Sequence, residues 1–282
     1  MNNASGKPAP LATLVTDAPL AHLRWDSSDR AAPGPLVVLL HGVGGGRQAW
    51  GAAGSGSGAA LAAAGFTAVA VDFPGYGHST TIDPYDLAGL AAALVRLIVQ
   101  MGLGPAQLVG HSMGGMVAQE LVARSPARVA GLVLASTSPA FGKPGGDWQR
   151  DFLQSRFAPL DAGAGMVGLA AQLVPAMLPP GSPANVRASA QALMAGVPEA
   201  TYRSAVAALV AFDRRAQLPL ISVPTLVITG ELDTTAAPEV ARKMAERIPG
   251  ALLLTVPGAG HLLPMEQPAA FNTALLAFLA RR

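Results

Sequence analysis

The 282-residue sequence predicts an α/β fold: a mostly parallel sheet with helices on both faces, interrupted late in the chain by a helical insert. Three observations carry this. Short runs rich in Val and Leu, each bounded by Gly or Pro, alternate with longer helix-like stretches, and such alternation builds a doubly wound parallel sheet. Hydrophobic residues make up 51% of the chain and charged residues 13%, which suits a large buried core and argues against disorder. From Pro139 to about Ser222 the alternation stops, leaving helix-like pieces separated by Pro and Gly.

The segment Leu11–Trp25 is expected to supply an antiparallel hairpin at the sheet edge. Strands buried on both faces are read at "LVVLL" (36–40), "TAVAV" (67–71), "QLVG" (107–110), "VAGLVLAS" (129–136), "PTLVITG" (224–230) and "LLLTV" (252–256). The low-complexity run "GAAGSGSGAA" (51–60) reads as a flexible loop feeding a helix at 59–64. Helices follow at Leu87–Met101, Met116–Arg124, Pro238–Arg247 and Pro268–Leu279. Within the insert they are expected at Gly146–Phe157, Ala164–Met177, Pro183–Ala195 and Glu199–Phe212. Residues 1–138 and 223–282 thus form a sheet core, with 139–222 as the insert.

Composition excludes several classes of function. The net charge is +2 and no basic run exceeds two residues, so no nucleic-acid footprint is present. Without cysteine there can be no disulfide, thiolate nucleophile or thiolate metal site. Residues 1–10 lack the apolar core of a signal peptide, and the weakly polar stretch Ala162–Leu178 is broken by Gln172 and Pro175. A cytoplasmic protein with no membrane span is expected, its oligomeric state left open.

Chemistry concentrates in a few segments. In "LVGHSMGGMVAQ" (108–119), Ser112 stands between Gly110 and Gly114 where a strand gives way to a helix. This is G-x-S-x-G, a sharp strand-to-helix turn that presents a serine, with small neighbours to carry the bend. A serine hydroxyl needs a base. His261, in "VPGAGHLLPMEQP" just after the last strand, lies at the same C-terminal sheet edge. The base needs an orienting carboxylate, and Asp233 in "VITGELDTTAAP" is better placed than Glu231, two residues nearer the strand. A developing oxyanion needs donors. The amide of Met113 sits at a helix N-terminus, and "LLHGVGGGRQAW" (39–50) offers the amide of Val43, with Gly44 as the alternative. No G-K-[ST] follows that glycine run, which argues against a phosphate cradle. No zinc-like spacing of ligands appears, so no metal and no cofactor are expected.

Taken in order, "HG" (41–42), "DFPGYGHS" (72–79), "GHSMGG" (110–115), "GELD" (230–233) and "GAGH" (258–261) resemble the α/β-hydrolase superfamily across essentially the whole chain. The resemblance implies an eight-stranded sheet, the insert as a cap after the sixth strand, and a triad of Ser112, Asp233 and His261. It makes Asp72, Gly75, Gly77 and Ser79 a structural loop near the site. It also makes His78 and His111 supporting residues, with His111 and Gly42 at the pocket wall. Within the superfamily the chain looks most like small capped esterases and lactonases, including 3-oxoadipate enol-lactonase-like proteins. It is also similar to meta-cleavage carbon–carbon hydrolases, which share the glycine-rich loop and a tryptophan like Trp50, but these usually carry asparagine where this chain has His111. Serine at 112, where dehalogenases and epoxide hydrolases need aspartate, disfavours both.

The expected function is therefore cleavage of a small carboxylic ester or lactone through an acyl-enzyme on Ser112. The alternatives are carbon–carbon bond hydrolysis on the same scaffold, or a ligand receptor that keeps the fold. Trp148, Phe152 and Met166 of the insert are expected to line the pocket. Its arginines, including Arg150 and Arg156, are interspersed with acids such as Asp147 and Asp151, and read as a solvated surface. Uncharged substrates are expected to be preferred.

Overall fold

The computed structural model describes residues 12–27, 32–51, 56–142 and 145–281. The chain runs through β1 (Thr13–Val15), β2 (His22–Trp25), β3 (Leu36–Leu40), α1 (Gly56–Ala63), β4 (Thr67–Val71) and α2 (Leu87–Met101). It continues with β5 (Ala106–His111), α3 (Met113–Arg124) and β6 (Val129–Ala135). Helices α4 (Asp147–Asp161), α5 (Gly165–Met177), α6 (Ala184–Ala195) and α7 (Glu199–Val210) come next. The chain then returns through β7 (Thr225–Gly230), α8 (Pro238–Arg247), β8 (Leu252–Val256), the single turn α9 (Leu263–Glu266) and α10 (Pro268–Leu279).

The strands pair in the order β1-β2-β4-β3-β5-β6-β7-β8. β2 lies antiparallel between β1 and β4, and every pairing from β4 to β8 is parallel. Burial on two faces explains the unbroken apolar runs. In β3, Val37 and Leu39 join the cluster formed with Leu61 and Phe271, while Leu36, Val38 and Leu40 join the opposite one with Leu94 and Val117. A strand covered on both sides has no polar face, so the usual alternation vanishes. α2 shows how a helix is bounded here: the Asp86 carboxylate accepts from the Gly89 amide at 2.7 Å, and Gly102 ends it at φ 66.

Three sequence expectations need correction. β8 was expected to be covered on both faces, but Leu253 and Leu254 are 42% and 39% exposed. It is an edge strand, paired on one side only with β7. Residues 56–60 of the glycine-serine run are the first turns of α1 rather than loop, and residues 52–55 lie outside the described residues. α3 starts at Met113, directly after the serine, three residues earlier than Met116.

The topology positions the site. From β3 the chain moves to β4 on one side and then to β5 on the other, so the winding reverses between β3 and β5. In open α/β sheets, ligands bind at that reversal, beyond the carboxyl ends of the strands. Register keeps those ends nearly level: Leu40 pairs with Gly110, His111 with Ala135, and Gly230 with Val256.

Candidate active site

The bend after β5 puts its unusual conformation on the serine. Ser112 has φ 52 and ψ −117, a region costly for any residue with a side chain. The neighbouring glycines carry the bend by leaving room for it. A Cβ on Gly110 would collide with the backbone of Gly114, and one on Gly114 with the Leu40 carbonyl. At Gly115 it would lie 2.6 Å from Thr137 Cγ2. The Ser112 amide donates to the Ala135 carbonyl at 2.9 Å and the Thr137 hydroxyl to the Ser112 carbonyl at 2.7 Å, so β6 holds the bend.

A hydrogen-bonded chain starts at this serine. Ser112 Oγ lies 3.1 Å from His261 Nε2, and His261 Nδ1 lies 3.0 Å from Asp233 Oδ2 and 3.2 Å from Oδ1. A carboxylate can only accept, so Nδ1 carries the proton and Nε2 is left to take one from the hydroxyl. Burial pushes the Asp233 carboxyl up. The His261 bond and the amides of Ala236 and Thr235 outweigh this and hold it below the usual carboxylate value.

The backbone of His261 is tied on both sides. Its amide donates to the Met177 carbonyl at the end of α5, 3.0 Å away. Its carbonyl accepts from His111 Nε2 at 2.7 Å. Burial, followed by the nearby His261, lowers His111 to about 3, so the ring is a neutral donor. One residue earlier, the Gly260 amide donates to the Glu266 carboxylate at 2.8 Å, and burial raises that carboxyl.

Opposite the serine lies the loop after β3. His41 donates through Nδ1 to the Gly42 carbonyl at 2.7 Å and accepts the Phe73 amide at Nε2, 3.1 Å away. Burial takes it down to about 4. The Tyr76 hydroxyl donates to the Val43 carbonyl at 2.9 Å, and a buried Arg47–Asp72 ion pair closes the loop's far end. Among the described residues, the amides of Val43, Gly44 and Met113 donate to no protein acceptor. Between this loop and α5 and α6 is a cavity of about 50 Å³. Ser112, His111, His261 and Trp50 line it, and among the described residues no Lys, Arg, Asp or Glu does.

A sequence model described as the alpha/beta hydrolase family matches residues 37–274. The chain belongs to the alpha/beta hydrolase family. A relative in Variovorax paradoxus, named provisionally as the carbamate hydrolase RutD, is 34% identical over 256 residues, covering 89% of this chain and 93% of its own. The pimeloyl-[acyl-carrier protein] methyl ester esterase of Nitrosospira multiformis is 31% identical over 266 residues, covering 87% and 94%. In structure, the enol-lactonase of Burkholderia xenovorans LB400 superposes with a TM-score of 0.81 at 25% identity, over 95% of this chain and all of that one (100%).

In this hydrolase the structure gathers Ser112, Asp233, His261, Val43, Met113, Gly42 and His111 at one sheet edge. The three insert residues expected at the pocket are not among its lining residues. Trp148 is 58% exposed and packs on Phe141 and Phe152. Phe152 lies under the Arg156 guanidinium at 3.7 Å, and Met166 is buried in the core cluster with Leu169 and Val174. Val174, Met177, Ala190, Leu193 and Met194 form that wall instead. His78 is exposed and makes no hydrogen bond among the described residues, so the supporting role falls to His111. Tyr76, Thr137 and Glu266 support the site without any sequence signal beyond their place near a motif. Asp72 and Ser79 behave as the resemblance implies: the Ser79 hydroxyl donates to the Asp72 carbonyl and accepts from the Ala21 amide.

Proposed function

We propose that this hydrolase cleaves small uncharged carboxylic esters or lactones through an acyl-enzyme on Ser112. One observation carries the reading: the Ser112–His261–Asp233 hydrogen-bonded chain opens onto an apolar cavity beside unpaired backbone amides. Ser112 Oγ attacks the carbonyl carbon while its proton passes to His261 Nε2. Asp233 orients His261 and balances the imidazolium. The oxyanion takes hydrogen bonds from the amides of Val43 and Met113, each such donor being worth roughly 100- to 1000-fold in rate. The alkoxide leaves with the proton from His261, as free alcohol or as the open end of a lactone. Water, deprotonated by the same nitrogen, then attacks the acyl-enzyme and releases the acid.

The preference for uncharged substrates rests on where the cations go. Arg150 pairs with Asp147, Arg203 with Asp161 and Glu199, Arg214 with Glu120, and Arg215 with Asp213. None of them lines the cavity. Relatives are named for a carbamate, a methyl ester and an enol-lactone, each of which presents a carbonyl carbon to a nucleophile, so a carbamate belongs in the same assay panel.

A fluorophosphonate probe should label the wild type at Ser112 alone, and Ser112→Ala should lose both labelling and hydrolysis. Undiminished hydrolysis by the alanine variant would sink the assignment. For substrate charge, kcat/KM is compared for a neutral monoester and its ω-carboxylate analogue at low and high salt. The neutral ester should be faster at both.

A further inference from the structure

We infer that Met194 limits the length of the acyl group, so that short acyl chains are preferred. The inference rests on the acyl-enzyme reading above and adds the size class of the substrate. In that mechanism the alcohol departs first, and the acyl part stays bonded to Ser112 until water arrives. It must be housed in the space beside Ser112, between the oxyanion loop and the cap helices. That space is about 50 Å³.

The far wall comes from α5 and α6: Val174, Met177, Ala190, Leu193 and Met194. Met194 has the decisive contact. A Cβ placed on Gly44 would collide with the Met194 terminal methyl and lie 3.3 Å from its Cγ. The thioether therefore reaches across the cavity to the loop opposite Ser112 and fills the volume that a side chain at 44 would need. Met194 is buried, so its side chain has little solvent space to swing into. A longer acyl chain meets this methyl first. Substitution by alanine removes three heavy atoms there and opens room for about as many more carbons.

The test holds the alcohol constant as p-nitrophenol and lengthens the acyl group from acetyl to octanoyl, with kcat/KM as readout. The wild type should favour acetyl to butanoyl over octanoyl by about tenfold or more, since a single methylene that does not fit a hydrophobic pocket costs roughly 10- to 200-fold. In Met194→Ala the octanoyl-to-acetyl ratio should rise at least about fivefold, and Met194→Val should fall between the two. A companion series of acetates with longer alcohols should show no such cut-off. A flat wild-type acyl profile, an unchanged ratio in both variants, or a cut-off that follows the alcohol would each overturn the inference. Failure of the underlying reading looks different: no ester is cleaved at any length and the fluorophosphonate does not label Ser112. Should the alanine variant not fold, the valine variant decides.

Discussion

At Ser112 a residue with a side chain is held at φ 52 and ψ −117, at a cost on the order of 1–3 kcal/mol. The surrounding hydrogen bonds from β6 impose it, so a residue without Cβ should relax there. Ser112→Gly is expected to raise stability by about 1 kcal/mol in urea titrations while losing activity. Gly114 behaves oppositely. Its missing Cβ faces the Leu40 backbone, which cannot move aside without breaking the sheet. Gly114→Ala should therefore cost about 1–3 kcal/mol, read as a lower urea midpoint. Equal stability for the alanine variant would show that β3 and α3 can separate more easily than their packing implies. For Asp233→Asn the expected fall in kcat is about 10,000-fold, since an amide favours the wrong tautomer of His261.

Among the elements, the run of β3, β4 and α2 is legible residue for residue, because five apolar positions between Gly and Pro, or a 15-residue run with an acidic cap, leave one solution. β8 is not, since an apolar pentapeptide looks the same in the centre of a sheet and at its edge. The return from the helical insert shows how distant elements are tied. Arg214, just after α7, forms two hydrogen bonds of 2.6 and 2.7 Å with Glu120 of α3, which also pairs with Arg124. Burial pushes the Glu120 carboxyl up, and its bonds to Arg214 and then Arg124 bring it below its usual value. Arg214→Ala leaves a buried carboxylate short of partners and is expected to cost about 1–3 kcal/mol. Arg214→Lys, which keeps charge but not the paired geometry, should recover only part.

For the whole molecule, buried imidazoles set the response to acid. His41 and His111 fall from an ordinary value of 6.5 to about 4 and about 3. Between 6.5 and those values the unfolded chain binds protons that the native protein refuses, so stability rises with pH across that window and is lost on acidification. At one unit per about 1.4 kcal/mol, the loss from pH 7 to pH 5 is on the order of 2–4 kcal/mol. Glu266, raised by burial, works in the other direction nearer its ordinary value of 4.5 and offsets only a part. Urea midpoints at pH 7, 6 and 5 should fall in that order, and a flat series would show that both rings become charged without unfolding. Prolonged chelation should leave the hydrolytic rate unchanged, because the proposed proton transfers run between Ser112, His261 and water.

What the sequence determined by itself is whatever a short stretch of chain decides locally. Apolar runs bounded by Gly and Pro specify strands, G-x-S-x-G specifies a tight bend, and motif order brings Ser112, Asp233 and His261 to one sheet edge. Only the tertiary structure decided which side chains of the insert face the serine. Trp148, Phe152 and Met166 have the size and character of pocket residues, as Met177 and Met194 do, and nothing in their local sequence separates the two groups. The rotation of α4, α5 and α6 about their axes separates them. That rotation is set by how the helices pack on one another and on the loop after β3, through contacts such as Met194 on Gly44 that join residues 150 positions apart.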